Sequence, residues 1–259
     1  MIKNMFQRKL KPIKTSWGSH AKWYSGVVEE KGSYQKEVIL PGVLRMLNLQ
    51  KGESLLDIAC GEGFFTREFN KLGANVLGID AGSELIELAK KKSSPDILYR
   101  VADAKRLAFL NDGVFDVITI ILALQNIDEV TPVLKEAKRV LRKGGKLIFV
   151  INHPVLRIPK LSGWGYDEGQ KLQYRKINGY MTELKLPIQM HPGDQPKDVT
   201  WSFHRPLQFY FKALKQAGFL VEDLEEWTSN KKSQPGPKAK AEDRGRDEFP
   251  MFLAVSARS

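Results

Sequence analysis

The chain has one cysteine, Cys60, in 259 residues. A lone thiol excludes an internal disulfide and every zinc or iron–sulfur site built on several cysteines. Long hydrophobic runs are missing too. No apolar stretch approaches the ~18 residues that a membrane helix needs, so the sequence predicts a chain that does not span a bilayer. The first 22 residues lack the ~7–15-residue apolar core of a signal peptide, and the expected compartment is the cytoplasm. Acid is scarce relative to base, 30 against 41, for a net charge of +11. Part of the excess is local: Lys3, Arg8, Lys9, Lys11, Lys14 and Lys22 share the N-terminal stretch with no acid. Such a run either releases counterions from a nucleic acid or is a solvated tail. A second, mixed run lies at 231–248.

What is present is ordinary for a globular protein, with 42% hydrophobic and 27% charged residues and enough length for one α/β domain with a large core. From 53 to 152 short apolar runs alternate with amphipathic stretches, which predicts a parallel sheet covered by helices. Strands are expected at 54–59, 75–79, 97–102, 115–122 and 146–151. Helices are expected at 64–72, at 84–92 capped by Ser83, and from 128 or 131 to 141. Phe65, Phe69 and Leu72 keep helical spacing, and Gly73 stops that helix. The regularity breaks at 153–205, which holds Pro154, Pro159, Pro187, Pro192 and Pro196. Its aromatics argue against disorder, so the segment reads as an irregular functional cover. A helix from Pro206 to Ala217 and strands at 219–225 and 249–257 close the chain, with a long polar loop at 228–248. Ahead of the sheet, Trp23 and Tyr24 and the stretch 35–47 read as helical pieces, the second interrupted by Pro41. The expected organisation is a single domain, 1–259. Its parts are an N-terminal helical segment (1–50), a binding core (51–152), the cover (153–205) and a last helix with strands (206–259).

The sharpest motif is Leu55-Leu56-Asp57-Ile58-Ala59-Cys60-Gly61-Glu62-Gly63, a buried strand entering a small-residue loop and then a helix. Small residues let a ligand approach the backbone, and the helix start offers free N–H groups. Asp80 ends the next strand, placed to accept hydrogen bonds from two ribose hydroxyls. The bland alternative is a tight turn plus a helix-capping Asp. The stretch Asp57 to Gly63 resembles the first motif of class I S-adenosylmethionine-dependent methyltransferases, in the Asp-x-Ala-Cys-Gly-x-Gly form. The similarity runs roughly from 38 to 149 and returns in the last helix–strand–strand unit.

That resemblance implies an α/β, Rossmann-like methyltransferase fold. It has a largely parallel seven-stranded sheet with an antiparallel last strand, helices on both faces, and an insertion after strand five. It implies S-adenosylmethionine as cofactor, S-adenosylhomocysteine as product and no metal. Ala59, Gly61 and Gly63 would line the methionine part, with Asp57 supporting its amino group. Asp80, with Ala81 beside it, matches the ribose position, and Asp103-Ala104 the adenine position. Leu122 and Ala123 match the backbone facing the sulfonium, and Tyr24 an aromatic that closes over the cofactor. Lys143-Gly144-Gly145-Lys146 resembles the turn before the fifth strand. A nicotinamide-dependent oxidoreductase would want glycines at 59, 61 and 64, where this chain has Ala59, Gly61 and Phe64.

The methyl acceptor is read by absence. Cytosine C5 chemistry needs a nucleophilic cysteine, and Cys60 lies in the cofactor loop. Base amino groups usually call for a Pro-Pro-aromatic turn after strand four, where Leu124-Gln125-Asn126-Ile127 stands. Metal-dependent O-methylation needs acids where His153-Pro154 stands. A small-molecule acceptor remains, methylated at N or O under the cover, with an RNA acceptor bound by the basic N-terminus as alternative. A third reading is a non-catalytic cofactor-binding module. His153 and His204 mark the two ends of the cover as candidate general bases, or else as turn-formers beside prolines. Arg205 pairs either with an anion on the acceptor or with a surface acid. Trp164, Tyr166, Tyr174, Tyr180, Trp201 and Phe203 form either a cage for an amine or ring or a local core. Glu225-Glu226-Trp227 invites the same two readings.

Overall fold

The computed structural model describes residues 30–188 and 200–259. A π-helical turn, Gln35–Ile39, runs into α1 (Leu40–Leu47), and Pro41 falls in the first turn of α1, where its missing N–H costs nothing. Then β1 (Ser54–Ile58), α2 (Phe64–Lys71), β2 (Asn75–Asp80), α3 (Ser83–Lys92) and β3 (Leu98–Val101) follow in strict alternation. β4 (Phe115–Ile121) leads through a 3-10 turn, Leu124–Asn126, to α4 (Val130–Val140) and β5 (Leu141–Asn152). The α3 helix starts without the side-chain cap expected of Ser83, whose hydroxyl bonds Glu84 instead.

After the cover come α5 (Leu207–Ala217), β10 (Leu220–Trp227), α6 (Ala239–Glu248) and β11 (Phe252–Arg258). The seven-stranded sheet has the order β10-β11-β5-β4-β1-β2-β3. β11 lies antiparallel between β5 and β10, while β1 to β5 pair in parallel. The order reverses at β1, where the chain steps first towards β2 and later across to β4. Ligands in open α/β sheets bind at such a switch point, outside the carboxyl ends of the strands.

The two-residue period of the strands builds both faces. Leu56, Ile118, Leu147, Phe149 and Ile151 pack with α4 and α5, through Leu134, Ala137, Tyr210 and Leu214. Leu55, Val117, Ile148 and Val150 face the other way, onto α1 and α2, through Val43, Leu47 and Phe69. Trp227 seals this second face at β10. A β-carbon on Gly42 of α1 would meet its ring at 2.4–2.7 Å. Gly42→Ala should therefore cost about 1–3 kcal/mol by overpacking, seen as a lower Tm with cofactor affinity unchanged. An unaltered Tm would mean that the Trp227 ring is free to move aside.

Two regions differ from the sequence expectation. The cover is not irregular: it contains the hairpin β6 (Ser162–Asp167) with β7 (Leu172–Ile177) and the pair β8 (Leu184–Ile188) with β9 (Thr200–His204). The prolines obscured the short strands, and Pro187 is tolerated in a two-stranded ladder because each strand has a free edge. The polar stretch 228–248 is not all loop, since it contains α6. That helix is polar nearly all round, so it carries no amphipathic period. Good helix formers and the ion pairs of Arg246 with Glu242 and Asp243 support it instead. Trp23 and Tyr24 lie outside the described residues. No helix among the described residues is long and apolar enough to cross a membrane.

Candidate functional site

Past β1 the backbone turns sharply, with positive φ at Ala59 (56°), Gly61 (58°) and Gly63 (83°). Ala59 pays steric strain that a glycine would not, and such strain gathers at ligand sites. The loop is tied to β2: Cys60 N–H donates to the Ile79 carbonyl (2.9 Å), and Gly61 N–H donates to Asp80 Oδ2 (3.0 Å). The other Asp80 oxygen accepts from Gly82 N–H (2.8 Å). Burial pushes the Asp80 carboxyl above its ordinary pKa, and the N–H groups of Gly82, Gly61 and Ala81 pull against it.

Above this loop, at the carboxyl ends of β1 to β4, lies a cavity of about 200 Å³. It gathers Ala59, Gly61, Asp80, Ala81, Asp103, Ala104, Leu122 and Ala123, which the sequence had nominated together, and adds Leu85, Ile127, Val133 and Asn126. Leu122 is a second strained residue (φ 54°). Its carbonyl accepts from Gln125 Nε2 (2.9 Å) and Asn126 Nδ2 (3.3 Å).

Two nominated residues sit beneath the cavity. Asp57 is buried, accepting from the hydroxyls of Thr66 (2.6 Å) and Thr119 (2.9 Å). Gly63 makes room for Tyr99, whose hydroxyl would meet an added β-carbon at 2.4 Å. Burial raises the Asp57 carboxyl from its ordinary 3.8 to about 6, against the two threonine bonds. A folded-state pKa above the unfolded one means that protonation favours the fold. Stability from this group is therefore highest below about pH 4 and falls as pH rises through about 6, by up to about 3 kcal/mol. Asp57→Asn removes that dependence, so its Tm relative to the parent should rise between pH 4 and pH 7. A constant difference would show that Asp57 titrates normally.

Two more cavities lie alongside. A second, of about 340 Å³, shares Leu122 and Asn126 with it. A third, of about 290 Å³, shares Gln125, Asn152, Pro159 and Ser202 with the second. The cover forms most of the outer walls. β9 lies against the 3-10 turn after β4, where the Ser202 hydroxyl donates to the Gln125 carbonyl (3.5 Å). A strained, small-residue cradle thus shares a wall, Leu122 and Asn126, with the cavities under the cover at the switch point of the sheet.

Comparison with known proteins agrees with this arrangement. Residues 56–149 match the family model described as a methyltransferase domain. The chain is similar over 99 residues, at 34% identity, to the ubiquinone biosynthesis O-methyltransferase of Xanthomonas oryzae pv. oryzae, covering 37% of this chain and 41% of that protein. It is 36% identical over 121 residues to the malonyl-[acyl-carrier protein] O-methyltransferase of Hamiltonella defensa, covering 47% and 46%. The chain spans less than half the length of these two relatives. The crystal structure of an S-adenosylmethionine-dependent methyltransferase from Mesorhizobium loti superposes with TM-score 0.67 and 27% identity, over 85% of this chain and 96% of that one. The fold is that of the class I S-adenosylmethionine-dependent methyltransferases, and residues 56–149 match their methyltransferase domain.

Around the methyltransferase domain the two histidines part company. His204 lines the third cavity. Its Nε2 lies 2.8 Å from the Tyr180 carbonyl, which only accepts, so Nε2 holds the proton and Nδ1 carries the lone pair. His153 lines none of the three cavities. It is buried at the end of β5, with Nε2 2.7 Å from Glu226. Burial lowers its pKa, and the Glu226 bond opposes the shift.

Arg205 departs from the expected surface ion pair. It is 4% exposed, donates to the carbonyls of Leu124, Ile127 and Asp128, and lies between the rings of Phe203 (4.7 Å) and Phe209 (4.8 Å). Four of the cover's aromatics are engaged by the chain's own cations, while Tyr174 is exposed and the Tyr180 hydroxyl accepts from Leu207 N–H (2.9 Å). Arg175 lies over Trp164, Lys238 over Tyr166, and Lys185 over Trp201 and Phe203. Trp227 is core, as one reading of Glu225-Glu226-Trp227 had it, while Glu226 holds His153.

Sequence reading missed two contributors. Glu62 is buried and ion-paired to Arg67 and Lys92 (3.1 Å each), fastening the loop to α2 and α3. Gln125 is 7% exposed and lines the second and third cavities. Because its Nε2 must face the Leu122 carbonyl, its Oε1 is left buried without a partner among the described residues.

Proposed function

We propose that the chain transfers a methyl group from S-adenosylmethionine to an oxygen or nitrogen of a small-molecule acceptor held under the 153–205 cover. The observation that carries this reading is the adjacency of the small-residue cradle to the cavities under the cover: Leu122 and Asn126 line both the first and the second, and Gln125 both the second and the third. The first cavity suits the cofactor: its walls are apolar enough for a purine, and two carboxylates, Asp80 and Asp103, stand among them. Asp80 keeps lone pairs for ribose hydroxyls beyond those used by Gly61 and Gly82. Asp103 and Ala104 flank the purine, and the backbone of Ala59, Gly61, Leu122 and Ala123 borders the remainder. Asp57 shapes the loop from below through Thr66 and Thr119.

When bound, S-adenosylmethionine supplies an electrophilic methyl carbon, whose bonding pair stays with sulfur as S-adenosylhomocysteine forms. The protein's own task is to position the acceptor and take its proton. Gln125, wedged between Leu122 and the cover, helps to wall the acceptor's place. His204 Nδ1 is the group that takes the acceptor's proton, while the Tyr180 carbonyl holds the ring.

O-methyltransferases among the relatives support an oxygen acceptor. The modest size of the acceptor cavities, about 290 and 340 Å³, supports a small molecule over RNA. With methyl-labelled S-adenosylmethionine and a cell extract, label should enter the small-molecule fraction, and deleting residues 1–14 should leave that transfer nearly intact. Label entering RNA, with steep salt dependence and loss on deletion, would overturn the small-molecule reading.

A further inference from the structure

We infer that the third cavity recognises an anionic oxygen group, a carboxylate or phosphate, carried by the methyl acceptor. This rests on the reading of that cavity as the acceptor site. Arg157, Lys160, Arg175 and Arg205 line it, and no Asp or Glu does. Each guanidinium is held by neutral groups only. Arg205 is buried on backbone carbonyls. Arg175 donates to the Leu156 carbonyl (2.9 and 2.6 Å) and the Ser162 hydroxyl (3.0 Å), and Arg157 to Asn152 Oδ1 (2.9 Å). Among the described residues none of the four cations has a carboxylate within ion-pair distance.

Acids nearby are engaged elsewhere or exposed. Asp128 pairs with Lys185 (3.7 Å) and Glu226 with His153, while Glu183, which acts electrostatically on Tyr210, is exposed. Arg157 and Lys160 are exposed and Arg175 is partly so, so their like charges, with no carboxylate among the cavity's walls, present a positive field to an incoming anion. Lys160 adds a separate sign, because its backbone is held at φ 63°, a conformation a non-glycine residue adopts at a cost.

The cavity is also asymmetric. Gln125 and Ser202 border the side towards Leu122 and the cofactor cavity, whereas Arg157, Lys160 and Arg175 line only the third cavity among the three. An acceptor with its anion on the guanidiniums therefore presents its other end to Gln125. Planar guanidinium forks suit carboxylate and phosphate oxygens alike.

The test is calorimetry on the full chain, saturated with S-adenosylhomocysteine and also alone, with benzoate, phenyl phosphate and benzamide as probes of one ring and three head groups. At least one anion should bind about tenfold more tightly than neutral benzamide. The ranking of benzoate against phenyl phosphate then decides between carboxylate and phosphate. Arg157→Gln and Lys160→Gln should each weaken the preferred anion about fivefold or more, without changing benzamide or S-adenosylhomocysteine affinity. Lys160 is exposed on a loop, so its variant carries the test if Arg157→Gln fails to fold. Equal binding of benzamide and the anions, no anion binding, or unchanged affinity in Lys160→Gln overturns the inference. Anion selectivity without S-adenosylhomocysteine binding would sink the methyl-transfer reading and leave the anion site standing. The reverse result would do the opposite.

Discussion

His204→Ala should slow methyl transfer by about 10²–10⁴-fold, the usual contribution of a positioned general base, with S-adenosylmethionine affinity unchanged. The expectation comes from ring orientation. The Tyr180 carbonyl fixes the proton on Nε2, and His204 lines the third cavity under the cover. His153→Ala serves as the contrast. Its imidazole bridges β5 to Glu226 on β10, so its loss should lower Tm while leaving the rate per folded molecule nearly intact. A normal rate in His204→Ala would remove the base and leave an enzyme that works by positioning alone.

Asp80→Ala has the largest expected effect on the cofactor. The carboxylate holds Gly61 and Gly82 by their N–H groups and faces the first cavity. Removing charged hydrogen bonds of this kind costs about 1–3 kcal/mol, or roughly 5–150-fold in S-adenosylmethionine affinity. Asp80→Asn keeps one acceptor oxygen and should fall between. Circular dichroism would verify that the loop's new freedom has not unfolded the core. Unchanged affinity in a folded Asp80→Ala protein would take this residue out of the site.

Much of the fold was legible because the buried parallel strands are written as apolar runs, each closed by a turn signal. Leu55-Leu56, Val76-Leu77 and Leu147 to Ile151 are core in the structure, and Asp57 to Gly63 could be placed at a strand-to-helix turn. The place of Asp80 at the cavity was legible for the same reason, since it closes the apolar run of β2. What escaped notice lacked a period or depended on distant partners. α6 has no apolar stripe, and the strands of the cover are short and broken by proline. Arg205 looked like a surface residue because nothing in its neighbours announces the carbonyls of Leu124, Ile127 and Asp128, which come from a turn some 80 positions away. Gln125 was passed over because the turn after β4 was searched for a Pro-Pro motif. Its significance lies in one unpaired oxygen, which only packing creates. Glu62 likewise reads as a variable loop position until Lys92 is folded onto it.

The central claim is that the small-residue cradle and the covered chamber are the two halves of one methyl-transfer site. A crystal structure of the full chain with S-adenosylhomocysteine tests it most directly. The account predicts the ribose hydroxyls on Asp80, the purine between Leu85 and Val133 beside Asp103, and the sulfur facing Gln125 through the opening at Leu122 and Asn126. A ligand bound elsewhere, or one whose sulfur points away from the chamber under the cover, would contradict it.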